Sequence, residues 1–325
     1  MDYKGIKEYL KQDLEGVNAL MCKSLSSDIA LLDKTNKSVL AHSGKQIRPV
    51  LCLLAARACS GGFVTEDTLL YASAVELLHN ATLLHDDVAD DSPMRRGVPT
   101  VMSLLGGRAS VLLGDYWLVK GMENILASAN SSAKVIRIFA ATLSDLAEGE
   151  LLQLQKADTG DTLEQDYYKI IYNKTSSLFV AAATSGAMSV GASEEKMKAV
   201  RTYAKCLGQA FQIKDDILDY AGSGELGKPV GMDLKEQKIT LPLIGALSTL
   251  EDESPVRDKI LHIHEHPEYC GQLHSFVIER GGIEYAAARL QEYIDKAVDA
   301  LRPVPDSPAR DALVEIARFN AFRQV

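Results

Sequence analysis

Between Leu69 and Asp90 the sequence reads LLYASAVELLHNATLLHDDVAD, with apolar residues returning every three or four positions. That period matches the turn of an α-helix and conflicts with the two-residue period of a half-buried strand. Val135–Gln155, Tyr167–Val190 and Val200–Ala221 carry the same pattern. Sustained period-two alternation between turn residues is absent. Aromatics make up only 6%, and the apolar residues are mostly Leu, Ala, Ile and Val. Leu and Ala are strong helix formers. These features predict an all-α protein, a helical bundle.

The 325 residues, 46% of them hydrophobic, can bury a large core. Length alone would suit about two domains. The chain has no Pro/Ser-rich linker, low-complexity tract or long charge run, so one domain over 1–325 is expected. Breaks are legible at CSGGF around Gly61, at DSPMRRGVPT, where Pro93 disfavours helix at Ser92, at the glycine-rich loop Gly222–Asp233, and at Arg302–Pro308. A net charge of -9 argues against non-specific nucleic-acid binding, which needs a cationic surface. Cys22, Cys52, Cys59, Cys206 and Cys270 are scattered without C-x-x-C spacing and read as free thiols. The N-terminus lacks the apolar core of a signal peptide. No apolar run reaches the roughly 18 residues of a membrane span. A cytoplasmic protein is expected.

Two stretches carry chemistry. HDDVADD contains Asp86, Asp87 and Asp90; QIKDDILD contains Asp215, Asp216 and Asp219, at the same D-D-x-x-D spacing. On a helix, residues i and i+4 lie roughly 40° apart, and i+1 and i+4 about 60° apart. Each trio therefore reaches one pocket. Three like charges repel, and a divalent cation removes that cost; carboxylate oxygens suit a hard ion such as Mg²⁺, which shares its shell with substrate phosphates. A single such motif is as often a solvated acidic patch. Two copies, each following an apolar helix, favour a binding site. Nearby cations are Lys45 and Arg48 in GKQIRP, Arg95 and Arg96, Lys174 beside Thr175, Lys228 and Lys238. Each alone reads as a solvated surface charge. Together with two carboxylate clusters they fit a polyphosphate ligand. Neither G-x-x-x-x-G-K-[ST] nor a strand-linked G-x-G-x-x-G is present, so a diphosphate on a hydrophobic body is favoured over a nucleotide. His79 lies seven residues before Asp86, two turns away on nearly the same face.

These residues occur in the order of a known family. The chain resembles the trans-isoprenyl diphosphate synthases, or polyprenyl synthetases, through GKQIRP, DDVADDSPMRRG, FQIKDDILD and GKPVGMDLKEQKITLP. The resemblance covers nearly the whole length and implies an all-α isoprenoid synthase fold with a central cavity, usually as a homodimer. It implies that an allylic diphosphate binds through about three Mg²⁺ ions held by Asp86, Asp87, Asp90, Asp215, Asp216 and Asp219. Arg95, Lys174, Gln212, Lys228 and Lys238 would assist, and isopentenyl diphosphate would sit at Lys45, Arg48, His79 and Arg96. Metals and cations would stabilise the departing diphosphate. The double bond of isopentenyl diphosphate would attack the allylic cation, and released diphosphate would take the proton. Thr175 and Gln212 would turn oxygen dipoles toward the cation. Ser43 stands where the family often has a second glycine, Gln46 replaces a common arginine, Pro93 lies in the connector, and ARFNAFRQV is less basic than usual.

Short-chain members of that family often place bulky aromatics four and five residues before the first aspartate. Here those positions hold Thr82 and Ala81. Small residues leave a tunnel running on toward Leu78 and Ala74, about 18 Å below Asp86. A product of C30–C45 is expected, with Trp117 and Met122 as candidates for the tunnel floor or for ordinary core. The alternatives are a C15 or C20 synthase, a non-catalytic subunit of a heteromeric synthase, a terpene cyclase, which leaves Lys45, Arg48 and Arg96 unexplained, and a helical scaffold. His262–His266 in HIHEH read as solvated loop histidines.

Overall fold

The computed structural model describes residues 1–42, 44–129, 132–221 and 231–322, the last three by backbone alone. In chain order the helices are α1 (Tyr3–Tyr9), α2 (Lys11–Ser24), α3 (Ala30–Ala41), α4 (Ile47–Ser60), α5 (Glu66–Ala89), α6 (Val101–Leu105), α7 (Gly107–Leu126), α8 (Ala133–Thr159), α9 (Glu164–Ile171), α10 (Ser177–Ser189), α11 (Glu194–Ala221), α12 (Met232–Lys235), α13 (Leu241–Leu247), α14 (Ser254–Leu261), α15 (Glu268–Glu279), α16 (Gly282–Ala300) and α17 (Pro308–Phe322). A π-helical turn, Tyr172–Ser176, separates α9 from α10. The all-α expectation therefore holds, although one predicted segment, Tyr167–Val190, is two helices joined by that turn. The only sheet among the described residues is a two-stranded ribbon, β1 (Met94–Arg95) with β2 (Val98–Pro99).

The chain divides into two compact units. The first comprises Met1–Ala140, Ala181–Arg201 and Pro303–Leu313. Its centre is α5, which packs against α2, α4, α6 and α7. Leu70, Ala72, Ala74, Val75, Leu77, Leu78 and Ala81 are all buried, so this helix is apolar on nearly every side. That is the pattern of a core helix rather than a surface one. Each fully buried leucine contributes about 2 kcal/mol. Thr65 and Thr68 form a reciprocal capping box that fixes where α5 starts. Gly61, in the left-handed conformation, ends α4. Gly186 of α10 lies against α4 so closely that a Cβ there would sit 2.1 Å from the carbonyl oxygen of Cys52.

The second unit comprises Ala141–Val180, Thr202–Arg302 and Val314–Val325. Its core gathers Ile213, Ile217 and Tyr220 of α11 with Leu241, Leu243 and Leu247 of α13, Leu273 and Val277 of α15, and Leu290 and Ile294 of α16. Gly282 brings the start of α16 against α13, where a Cβ would meet the Pro242 carbonyl at 2.1 Å. The glycine-rich loop read from Gly222 to Asp233 lies mostly outside the described residues; its last two residues, Met232 and Asp233, begin α12.

Candidate active site

Both aspartate motifs lie at the C-terminal ends of long helices. Asp86 and Asp87 occupy the last turn of α5, and Asp90 is its cap with φ −90° and ψ 2°, one residue past the helix proper. Asp215, Asp216 and Asp219 occupy the last two turns of α11. A helix C-terminus carries partial negative charge, and a misplaced carboxylate there costs about 0.3–1 kcal/mol. The helix dipole disfavours acids in these positions, and a cation would offset that cost.

In the first unit, Asp87 is buried at 4% exposure, and Arg95 Nε donates to its Oδ1 at 2.7 Å. Asp86 is half-buried and Asp90 exposed. The ribbon sets the two arginines apart. Arg95 lies in β1, whereas Arg96, with φ 53°, and Gly97, with φ 79°, make its two-residue turn. Two left-handed residues are what a tight hairpin demands. Arg96 Nη1 donates to the His42 carbonyl at 3.0 Å. A Cβ on Gly44 would lie 2.5 Å from the Arg96 Cζ, so the guanidinium rests on bare backbone.

Lys45 is exposed, while Arg48 and His79 are half-buried. Between them sits a residue the sequence reading did not single out. Glu76, one turn before His79, is 3% exposed, and its Oε2 has no hydrogen-bond partner. Burial raises its pKa to about 7, against the opposing pull of Arg48, Arg96 and Lys7. Burial also drives His79 well below the usual histidine range, aided by Arg48, Arg96 and Arg95. His79 is therefore neutral at physiological pH. Arg48 falls to about 10, from burial and Arg96, and remains cationic. Glu76 was legible only as an acid in a run of apolar neighbours, ELLHN.

In the second unit the π-helical turn presents Lys174 and Thr175; such turns are often found at functional sites. Lys174 Nζ reaches Glu150 Oε2 at 2.5 Å and Gln153 Oε1 at 3.1 Å. Thr175 Oγ1 donates to Gln212 Oε1 at 2.9 Å, and Gln212 Nε2 donates to Asp216 Oδ1 at 2.9 Å. The Gln212 carbonyl oxygen expected to face a cation is thus engaged by Thr175. Tyr167 Oη donates to the other oxygen, Asp216 Oδ2, at 2.6 Å. Asp216 is 4% exposed. Burial and its neighbours Asp215 and Asp219 raise its pKa to about 7, against the bonds from Tyr167 and Gln212. Asp219 accepts from the Met232 and Asp233 backbone N–H groups at 3.1 Å each, holding the start of α12. Asp233 is itself raised well above the usual range, by burial and then by Asp216 and Asp219. Tyr167, Lys174, Gln212, Asp216, Asp233 and Lys238 line one cavity of about 150 Å³. Lys238 also pairs with Glu236. Tyr167 and Asp233 escaped the sequence reading because only packing brings them to Asp216. Lys228 and Ser43 lie outside the described residues.

Among the described residues, no three His, Cys, Asp or Glu side chains form a ready-made metal cage. Asp87, Asp216 and Asp219 are instead satisfied by donors of their own unit. The donor set still fits a hard divalent ion that takes part of its shell from phosphate and water. Of the residues linked to chain length, Ala81 is fully buried and Thr82 half-buried, its hydroxyl donating to the His79 carbonyl at 2.8 Å. Leu78 packs against Gly121 of α7, where a Cβ would lie 3.2 Å from its Cδ2. Trp117 is fully buried and donates to Asn36 Oδ1 at 2.8 Å, an ordinary core arrangement; Met122 is half-buried.

Two aspartate trios at the ends of long helices, with cations near each, sit on an all-α frame that fits a prenyl diphosphate-processing protein, and the comparisons agree. The polyprenyl synthetase family matches residues 29–274, and the chain belongs to that family. It is a trans-prenyltransferase that elongates prenyl chains. It is 38% identical to the octaprenyl diphosphate synthase of Escherichia coli K12, over 99% of each chain. It is 37% identical to a geranyl-diphosphate-specific all-trans-nonaprenyl-diphosphate synthase of Rhodobacter capsulatus, over 96% of this chain and 95% of that one. A polyprenyl synthase of Caulobacter crescentus CB15, solved with calcium and isoprenyl diphosphate, has a TM-score of 0.90 at 34% identity, over 100% of this chain and 98% of that one. No helix among the described residues is long and apolar enough to cross a membrane.

Proposed function

We propose that this enzyme condenses isopentenyl diphosphate with an allylic diphosphate, head to tail, to make an all-trans product of C30–C45. The observation that carries the length is the pair Ala81 and Thr82 just below Asp86, small where a short product needs a stopper. The octaprenyl and nonaprenyl relatives support it. Residues 1–325 are read as one polyprenyl synthetase domain, acting in the cytoplasm.

Asp86, Asp87 and Asp90, with Asp215, Asp216 and Asp219, are assigned to hold about three Mg²⁺ ions against the allylic diphosphate. When bound, such ions would neutralise the charge that builds on the departing diphosphate. Arg95, Lys174, Gln212, Lys228 and Lys238 are assigned to the same leaving group. Arg95 would then leave Asp87, and Lys174 would leave Glu150, each exchanging a carboxylate for a phosphate oxygen. Lys45, Arg48, His79 and Arg96 are assigned to isopentenyl diphosphate. Neutral His79 donates one N–H to it without adding a charge. Thr175 keeps a lone pair free to face the allylic cation while its proton is held by Gln212.

A homodimer is proposed as well. The outward side of α7 exposes Val111, Leu112, Val119 and Leu126, an apolar row that a second copy would cover. Chelation tests the metal assignment. Turnover falls to background in excess EDTA and returns with Mg²⁺; unchanged turnover in EDTA refutes it. Asp86→Ala and Asp215→Ala each lower kcat by at least about a hundredfold, the scale of losing electrostatic stabilisation of a leaving group. Near-parental rates in either variant would remove that motif from the site.

A further inference from the structure

We infer that the N-terminal helical pair α1–α2 is a clamp on the turn that carries Lys45 and Arg48, with Tyr3 and Asn18 as positioning residues for isopentenyl diphosphate. This rests on the reading above, that Lys45 and Arg48 hold that substrate. Helices α1 and α2 precede residues 29–274, the stretch that the family model matches.

The turn needs holding. Gly44 has φ +49° and Gln46 φ 57°, both left-handed, with Lys45 between them. A left-handed glutamine carries a steric cost that something else must offset. Gln46 is also the residue from which α4 starts, and its side chain does not cap that helix. Instead it is buried at 9% exposure, and its Nε2 donates to Asn18 Oδ1 of α2 at 2.8 Å. One residue earlier, Tyr3 Oη of α1 donates to the Lys45 carbonyl at 2.8 Å. These two bonds grip the turn by its backbone and by its one inward side chain. The Lys45 side chain stays exposed for a ligand.

The clamp is itself anchored. Arg57, in the last turn of α4, donates through Nε to Asp13 Oδ2 of α2 at 2.8 Å and reaches it through Nη2 at 2.7 Å. Helix α2 is thus tied to α4 at Arg57 and, through Asn18, at the residue before α4 begins. Ile6, Leu10, Leu14 and Val17 bury the apolar side of the pair. The carbonyl of Lys45 and the amide of Gln46 are therefore held by rigid helices rather than by solvent, and the direction in which Arg48 leaves the turn is set with them.

Steady-state kinetics of the full-length enzyme with both substrates varied gives the test. Tyr3→Phe and Asn18→Ala each raise KM for isopentenyl diphosphate roughly three- to tenfold, the scale of one lost hydrogen bond. Both kcat and KM for the allylic diphosphate stay within about twofold. Asn18→Asp keeps the acceptor oxygen and restores KM for isopentenyl diphosphate to near the parental value. Arg48→Ala reports on the underlying reading. If it leaves that KM unchanged, the substrate assignment fails; if it raises KM while the Tyr3→Phe/Asn18→Ala double variant does not, the clamp fails. A fall in melting temperature with both KM values rising together would also overturn the clamp, because it marks a general structural role.

Discussion

Glu76 shows how one side chain organises its surroundings. Its folded pKa of about 7 exceeds the ordinary glutamate value of 4.5, because burial penalises the anion more than Arg48, Arg96 and Lys7 favour it. With the folded pKa raised, the folded state holds a proton that the unfolded state has lost between about pH 4.5 and 7. Stability tied to that proton is complete below about 4.5 and gone above about 7. A Glu76→Gln variant, fixed in the neutral form, should gain on the parent by up to about 3 kcal/mol across that window and no further above it. Melting curves from pH 4 to 8 check this; a parallel pair of curves would show that folding leaves the Glu76 pKa unchanged. The aspartates were legible because spacing on one helix fixes their common face. Glu76, Tyr167 and Asp233 were not, since each acquires its role from elements far away in sequence. Tyr3 and Asn18 were invisible for the same reason, each meeting its partner only after α1 and α2 have packed.

At the scale of elements, glycine sets how closely helices approach. The Cβ that Gly186→Ala adds would collide with the Cys52 carbonyl on α4, a backbone atom that cannot swing aside. The variant should lose about 1–3 kcal/mol in denaturant unfolding, as overpacked sites do; no loss would mean that α4 and α10 separate freely. On α7, Gly114 similarly leaves room for the His85 ring, whose Nε2 a Cβ would approach to 2.4 Å. Periodicity predicted the long helices well, α5 and α11 among them. It missed the break at Tyr172–Ser176, because a π-helical turn adds one residue to a turn without any proline or glycine to announce it. It also passed over the ribbon at Met94–Pro99, too short for any alternation to register.

For the molecule as a whole, the consequential question is how far a product can grow. Ala81 is fully buried on α5, so Ala81→Phe places a ring where the chain is proposed to pass. Products should shorten by two or more isoprene units, to about C20, with melting temperature checked to confirm folding. An unchanged product from a folded variant would send the tunnel elsewhere. Association can be read separately. Val119→Glu puts a charge on the exposed α7 row and should shift the mass in sedimentation from two chains to one. The parent sedimenting as a single chain would remove the dimer proposal.

Elongation to a long chain is decided by one incubation. The purified chain alone is given Mg²⁺, labelled isopentenyl diphosphate and, in turn, geranyl, farnesyl and geranylgeranyl diphosphates, and the dephosphorylated products are separated by chain length. Labelled all-trans products of C30–C45 are expected. Products ending at C15 or C20, or no labelled product with any primer, would contradict it.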